Sequence, residues 1–204
     1  MKLGTPPDIL TDQPSDWVLL GPGTVVWRVL RTSGPHLIPW DQLRYWGPSS
    51  ARFDPHPPPP RVHSGAGVSY AAADLPTALA EVFGDRRVVN SRRHDPYVVA
   101  WRPARNLRLL DLRSTWPVRN GASHAITSGR HDLCRAWARA INARWPDADG
   151  LLSASAMTGR DVIVVWTPAA DSFPSTPELS LPLAHPGLRS RLVAAAGEIG
   201  FDLA

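Results

Sequence analysis

Apolar and polar positions follow one another along the chain in blocks that predict strands and helices. β-Branched and aromatic residues at 24–30 predict a strand, and a shorter apolar run at 67–72 predicts another. Asp74 then stands where a helix N-cap belongs, with Pro76 in the first turn and apolar side chains at helical spacing as far as Gly84. This stretch is expected to fold as a strand followed by a short helix.

The clearest helix is predicted for residues 130–145, where Pro146 stops the pattern. Its apolar positions recur at every fourth residue: Leu133, Trp137, Ile141 and Trp145. Cys134, the single cysteine of the chain, lies inside this helix, where a small buried apolar side chain is its expected role. A lone cysteine also excludes an internal disulfide framework and a cysteine-rich zinc site.

Three more apolar runs predict strands: 96–102 and 107–112, joined by a short turn, and 161–166, which is apolar enough to be buried. A last helix is predicted for 187–199. Strands and helices are mixed without regular strand–helix–strand alternation, so the fold class expected is α+β, built as a single compact domain.

Proline-rich segments suggest how the chain is divided. We expect a lead-in at 1–20, one domain at 21–170, and a proline-rich linker with a C-terminal helix packing on the domain at 171–204. The four prolines at 57–60 predict a stiff surface loop, with a docking motif for a proline-binding domain as the alternative.

Composition narrows the class of protein. The 204 residues carry 22 Lys+Arg, all but one of them arginine, against 18 Asp+Glu, for a net charge of +4. No apolar stretch is long enough to span a membrane, and the N-terminal residues lack the apolar core of a secretory signal, so a cytoplasmic protein is expected. The arginines are scattered rather than gathered in a dense run, which is more typical of surface charge and of small phosphate ligands than of a nucleic-acid tail.

Common catalytic fingerprints are missing from the sequence. The seven histidines show no metal-binding spacing, and neither a glycine-rich nucleotide loop nor a nucleophile elbow is present. No metal site is expected.

Four residues remain that are chemically unusual at their positions. For each, an ordinary structural role is the alternative to a functional one. Arg28 interrupts an apolar strand, so its charge must be paired or must face a cleft. Glu81 lies at the apolar boundary of a short helix, as a solvated edge residue or as a pocket carboxylate. Tyr70 fits either a core or a ligand contact, and Ser155 precedes a turn that a plain turn serine would also suit.

The order of these segments resembles the RES domain family, named for its Arg, Glu and Ser residues. The best-matching piece is 69–71 followed by 77–82, similar to the family's Tyr-x-Ala strand and Ala-x-x-Glu helix. Arg28 stands at the first family arginine. Arg52 stands at the second, where the family's Gly-Arg-Trp-Asn pattern reads Ala-Arg-Phe-Asp here.

The serine of the family is matched after the Asp-Gly pair at 149–150. A serine five residues beyond the glycine points to Ser155, with Ser153 as the less favoured alternative. The resemblance covers 25–166, and the loop at 55–60 looks like an insertion.

The resemblance implies a fold similar to ADP-ribosyltransferase toxins, with a central mixed β-sheet and a cleft for NAD⁺. It implies cleavage of the nicotinamide–ribose bond, with NAD⁺ as substrate and no cofactor. Glu81, Arg28 and Ser155 would be catalytic, and NAD⁺ would be held by Arg28, Arg52, Tyr70 and Ser155. Water, giving ADP-ribose, and inorganic phosphate, giving ADP-ribose-1″-phosphate, stay open as acceptors, and so does transfer to a protein.

The resemblance also implies partners. Most members are bacterial toxins of toxin–antitoxin pairs, so a helix-turn-helix antitoxin of the Xre type is expected, while homo-oligomerisation is left open. No membrane and no direct nucleic-acid partner is expected. The alternatives are a basic nucleic-acid-binding module and a degenerate family member that binds partners without turnover.

Overall fold

A large mixed β-sheet organises the chain, as seen in a computed structural model that describes residues 3–34 and 37–204. The strands among those residues are, in chain order, β1 Trp17–Leu20, β2 Val26–Arg31, β3 Trp46–Gly47, β4 Arg61–Val62, β5 Val68–Ala72, β6 Val88–Val89, β7 Pro96–Trp101, β8 Leu107–Asp111, β9 Gly150–Ala154, β10 Asp161–Trp166, β11 Leu179–Pro182 and β12 Asp202–Leu203. Eight of them form the central sheet in the order β1-β8-β9-β10-β5-β2-β7-β11, while β3–β4 and β6–β12 form small separate pairs.

The α-helices in this part of the chain are α1 Leu75–Phe83, α2 Trp116–Arg119, α3 His131–Arg144 and α4 Arg189–Glu198. Helix α1 begins at Asp74, whose carboxylate accepts the Thr77 N–H at 2.7 Å, as its sequence predicts. The strong four-residue period of α3 places Trp137 and Ile141 fully inside the core. None of the helices described is long and apolar enough to cross a membrane.

The central sheet is nearly divided in two between β2 and β5. These neighbouring strands share only one register pair, Trp27 with Ala72, whereas β5 pairs with β10 over five positions and β2 pairs with β7 over six. Beyond that single pair the two strands diverge. A gap therefore opens in the middle of the sheet rather than at its edge.

Each part of the divided sheet has its own helices. Helix α3 packs with Trp116 and the inward side chains of β8, β9 and β10. Helices α1 and α4 pack with Val29 of β2 and Val98 of β7. Because side chains alternate along a strand, a third apolar cluster that includes Leu109 and Val165 lies on the other face of the sheet.

The predicted α+β fold class is confirmed, and so are the strands and helices that the sequence predicts. To the strands predicted for the central sheet the structure adds β1, within the predicted lead-in 1–20, and β9 and β11, which the apolar pattern did not single out. Strands β7 and β8, joined by a short connection, do not pair, because β8 lies between β1 and β9. The prolines at 57–60 are exposed, as a surface loop requires. The division into lead-in, domain and C-terminal part stays a prediction.

Candidate active site

A cleft of about 490 Å³ opens where β2 and β5 diverge. Its walls come from both parts of the sheet, from α1, from the loop at 50–53 and from the turn after β9. All five residues proposed from the sequence line this one cleft: Arg28, Arg52, Tyr70, Glu81 and Ser155. Residues up to 127 positions apart in the chain therefore meet at a single site.

Glu81 and Ser155 are joined by a short hydrogen bond. The Ser155 Oγ donates to Glu81 Oε1 at 2.5 Å, while the same Oγ accepts the backbone N–H groups of Met157 and Thr158 at 3.0 and 3.1 Å. Because these two donors occupy the oxygen lone pairs, the hydroxyl proton is directed at the carboxylate. Ser155 is thus a turn serine and a cleft residue at once, and Glu81 is a pocket carboxylate that remains open to solvent.

Arg28 faces the cleft without a carboxylate partner. Its Nη1 donates to Ser69 Oγ at 2.9 Å and to the Trp40 carbonyl oxygen at 3.2 Å, and no ion pair involves it among the residues described. Burial, together with the nearby charge of Arg44, lowers the pKa of Arg28 to about 10. The guanidinium is still protonated at neutral pH. It is a desolvated positive charge that an anion in the cleft would stabilise.

Arg52 lies on the loop between β3 and β4, which forms another part of the cleft wall. Its guanidinium donates to the Gly129 carbonyl oxygen and forms no ion pair with any carboxylate that the structure describes. The same loop contacts the start of α3, where His131 Nδ1 meets the Ser50 carbonyl oxygen. The loop is thereby fastened to α3 with the Arg52 side chain at the cleft.

Tyr70 serves both the core and the cleft. Its ring packs against the apolar cluster around α3 and also lines the cleft. Its hydroxyl donates to Asp54 Oδ1 at 2.8 Å. Burial, and then the adjacent Asp54 carboxylate, raise the pKa of Tyr70 well above its ordinary value, so the phenol stays protonated.

Three more polar side chains line the cleft that the sequence pattern did not single out: Asp85, Thr127 and His131. Asp85 lies in the turn just after α1 ends at Phe83, so helical spacing from Glu81 gave no signal for it. His131 stands at the start of the predicted helix, but one histidine there carries no signal of its own. Ser153, the alternative to Ser155, also lines the cleft but does not contact Glu81.

Across 3–34 and 37–204, no group of three His, Cys, Asp or Glu side chains could hold a metal ion. Cys134 is buried in α3, where its thiol donates to the Ile126 carbonyl oxygen at 3.2 Å. Burial raises the pKa of the Cys134 thiol, which disfavours the thiolate that a nucleophile needs.

Comparison with known families shows to which family the chain belongs. Residues 25–184, well over half of its length, match the model of the RES domain. The chain belongs to the RES domain family. The matched span includes every proposed site residue of this RES domain and extends past β10 to β11, beyond the end of the resemblance visible in the sequence.

A solved structure agrees on the fold. The RES-domain chain is similar to a chain in the crystal structure of the M. tuberculosis MbcT–MbcA toxin–antitoxin complex, with a TM-score of 0.52 at 16% sequence identity. The match covers 84% of this chain and 89% of that one. A search of curated proteins gives no match. At this identity the likeness supports the fold alone.

Proposed function

We propose that this RES-domain protein cleaves the nicotinamide–ribose bond of NAD⁺, with water or inorganic phosphate as acceptor. The observation that carries the proposal is one cleft that holds the half-buried guanidinium of Arg28, which forms no ion pair among the described residues, and a Glu81 carboxylate fixed by Ser155. The cleft volume of about 490 Å³ lies within the range of small-molecule sites.

The two arginines suit the pyrophosphate of NAD⁺. Arg28 and Arg52 lie on different walls of the cleft, and neither is neutralised by a carboxylate of the described chain. Guanidinium groups bind phosphate oxygens through charge-assisted, often forked hydrogen bonds. For Arg28, a bound phosphate would also replace the hydration that burial has removed. These two residues therefore hold the substrate.

Glu81 suits the chemical step. As the C1′–N bond breaks, its electron pair moves to the nicotinamide ring, which leaves neutral, and positive charge develops on the ribose. A fixed carboxylate stabilises that charge in the transition state. The Ser155 hydrogen bond holds the Glu81 carboxylate in one position before the substrate reacts. The acceptor oxygen then bonds to C1′, and the proton lost by water or phosphate passes to solvent or to Glu81.

A role as the toxin of a toxin–antitoxin pair follows as part of the proposal. Membership in the RES family and the fold shared with a chain of the MbcT–MbcA toxin–antitoxin complex both support it. A cognate antitoxin, of the helix-turn-helix Xre type, would cover the cleft and block access of NAD⁺ to Glu81.

The decisive experiment measures nicotinamide release from NAD⁺ by the purified protein, with and without inorganic phosphate, and identifies the products by mass spectrometry. We expect ADP-ribose without phosphate, or ADP-ribose-1″-phosphate when phosphate is present. Glu81→Gln should lower the rate by about a hundredfold or more. Glu178→Gln is the matched control, since Glu178 is a solvent-exposed glutamate paired with Arg102 away from the cleft. Absence of nicotinamide release under both conditions would overturn the proposal.

A further inference from the structure

A fully buried carboxylate lies just behind the cleft without lining it. Asp54 has no exposed surface and accepts four hydrogen bonds. Its Oδ1 accepts from Arg44 at 2.5 Å and from the Tyr70 hydroxyl at 2.8 Å. Its Oδ2 accepts from the backbone N–H of Ser49 at 2.7 Å and from the Ser49 hydroxyl at 2.8 Å. The site residues proposed from the sequence did not include it.

The three residues that donate these bonds, Tyr70, Ser49 and Arg44, relate Asp54 to the cleft in different ways. Tyr70 lines the cleft directly. Ser49 precedes the loop at 50–53, all of which lines the cleft and which carries Arg52, and its Oγ also accepts the Ala51 N–H at 3.1 Å. One carboxylate thus holds a strand residue and a loop in a fixed relation to each other.

The bond from Arg44 affects the charge near the cleft. Arg44 and Arg28 repel each other, and this repulsion contributes to the lowered pKa of Arg28. The ion pair between Asp54 and Arg44 neutralises the Arg44 charge and so weakens its repulsion of Arg28. Loss of that pair would leave two uncompensated guanidinium groups beside the cleft.

The Asp54 carboxylate remains ionised in spite of its burial. Burial alone would raise the pKa of Asp54, but the neighbouring His56, whose Nδ1 lies 3.8 Å from Oδ2, and then Arg44 and Ser49 outweigh it and hold the pKa well below its usual range. An ionised carboxylate can only accept hydrogen bonds, which matches the four donors around it.

We propose that Asp54 is a positioning residue for the reaction in the cleft: it fixes Tyr70, the Arg52 loop and the balance of charge near Arg28 without touching the substrate. The inference rests on the proposed function. It adds a residue that acts entirely through others.

The test is Asp54→Asn, assayed for nicotinamide release from NAD⁺. The amide keeps the shape of the carboxylate but replaces one acceptor with an NH₂ donor, which must face either the Ser49 donors or those of Arg44 and Tyr70. Because substrate-binding groups are displaced, we expect KM to rise about tenfold or more, with a smaller change in kcat. Combined with Tyr70→Phe, the effect on KM should be less than additive, since both changes break the same hydrogen bond.

The matched control is Asp16→Asn. Asp16 is also a buried aspartate paired with an arginine, Arg119, but it does not line the cleft. We expect Asp16→Asn to lower the melting temperature and to leave KM unchanged, which separates positioning from general destabilisation. If Asp54→Asn does not fold, Ser49→Ala removes the hydroxyl bonds to Asp54 and to the Ala51 N–H, keeps the backbone bond from Ser49 to Asp54, and should raise KM in the same direction.

Two outcomes would overturn the inference, and they are distinguishable. In the first, the wild-type protein releases nicotinamide but Asp54→Asn has a wild-type KM; where that variant does not fold, a wild-type KM of Ser49→Ala counts instead. A change of KM by the same factor in Asp16→Asn has the same meaning: Asp54 has no positioning role. If the wild-type protein itself releases no nicotinamide, the proposed function fails and this role fails with it.

Discussion

Ser155 and Glu81 meet across the cleft from two different walls: the serine stands in the turn after β9, the glutamate on α1, and 2.5 Å separates Ser155 Oγ from Glu81 Oε1. The serine is itself fixed by two backbone N–H groups. The turn therefore aims a hydroxyl at a carboxylate that would otherwise be free to change rotamer in solvent.

Ser155→Ala should lower kcat for nicotinamide release by about tenfold to a hundredfold and change KM little, because the carboxylate loses the bond that orients it for the transition state. Ser114→Ala is the matched control. Ser114 is another turn serine, whose Oγ donates to the Asp111 carbonyl oxygen and accepts the Trp116 N–H away from the cleft. A Ser155→Ala variant with wild-type kcat would contradict the orienting role.

Arg28→Met should separate stability from binding. Removal of a desolvated charge is favourable, whereas loss of the hydrogen bonds to Ser69 and Trp40 is not, so the free energy of unfolding should change by less than about 1 kcal/mol. KM for NAD⁺ should rise about a hundredfold, because a phosphate contact is lost. Urea denaturation and steady-state kinetics measure the two effects.

Arg119→Met is the control for that variant and should show the opposite pattern. Arg119 is paired with the buried carboxylate of Asp16, so its removal leaves a charge uncompensated and should cost about 3 kcal/mol of stability with KM unchanged. An Arg28→Met protein that binds NAD⁺ normally, or that unfolds as readily as Arg119→Met, would contradict the assignment of Arg28.

Tyr70 should make the protein sensitive to alkali. Its pKa in the folded state lies well above the ordinary value near 10, so above about pH 10 the native protein keeps a proton that the unfolded chain releases. Stability should therefore fall as pH rises through this range, and Tyr70→Phe should reduce the slope. Urea denaturation at about pH 9 and about pH 11 measures it. Tyr97→Phe, on β7, is the control, and equal slopes in both variants would argue against the buried Tyr70–Asp54 bond.

Local signals predicted much of the fold. The Asp74 cap and the four-residue period of α3 are properties of neighbouring residues, so both helices could be read from sequence. Strand β1, four residues long at an edge of the sheet, has too few positions for an alternating pattern. The separation of β7 from β8 was not predictable, because it depends on which strands pair across the whole sheet.

In the candidate site, too, some residues could be predicted from local sequence and others only from the fold. Arg28 and Glu81 stand out locally as charges in apolar stretches, and the family resemblance then proposed them as site residues. The Asp54 network was not found, because Arg44 and Asp54 are each unremarkable in sequence and only the fold brings them to Tyr70. That no carboxylate of the described chain pairs with Arg28, on which its role depends, is likewise a property of the packed structure.

The single register pair between β2 and β5 has a mechanical consequence. A row of hydrogen bonds is what makes neighbouring strands move as one body, and here the row is reduced to Trp27 and Ala72. On the far side of that pair, the Arg28 side chain spans the gap to Ser69 of β5. The residue proposed to bind phosphate thus also links β2 to β5 where the backbone hydrogen bonds are missing, and we expect a ligand that fills the cleft to restrain the movement of the two strands against each other.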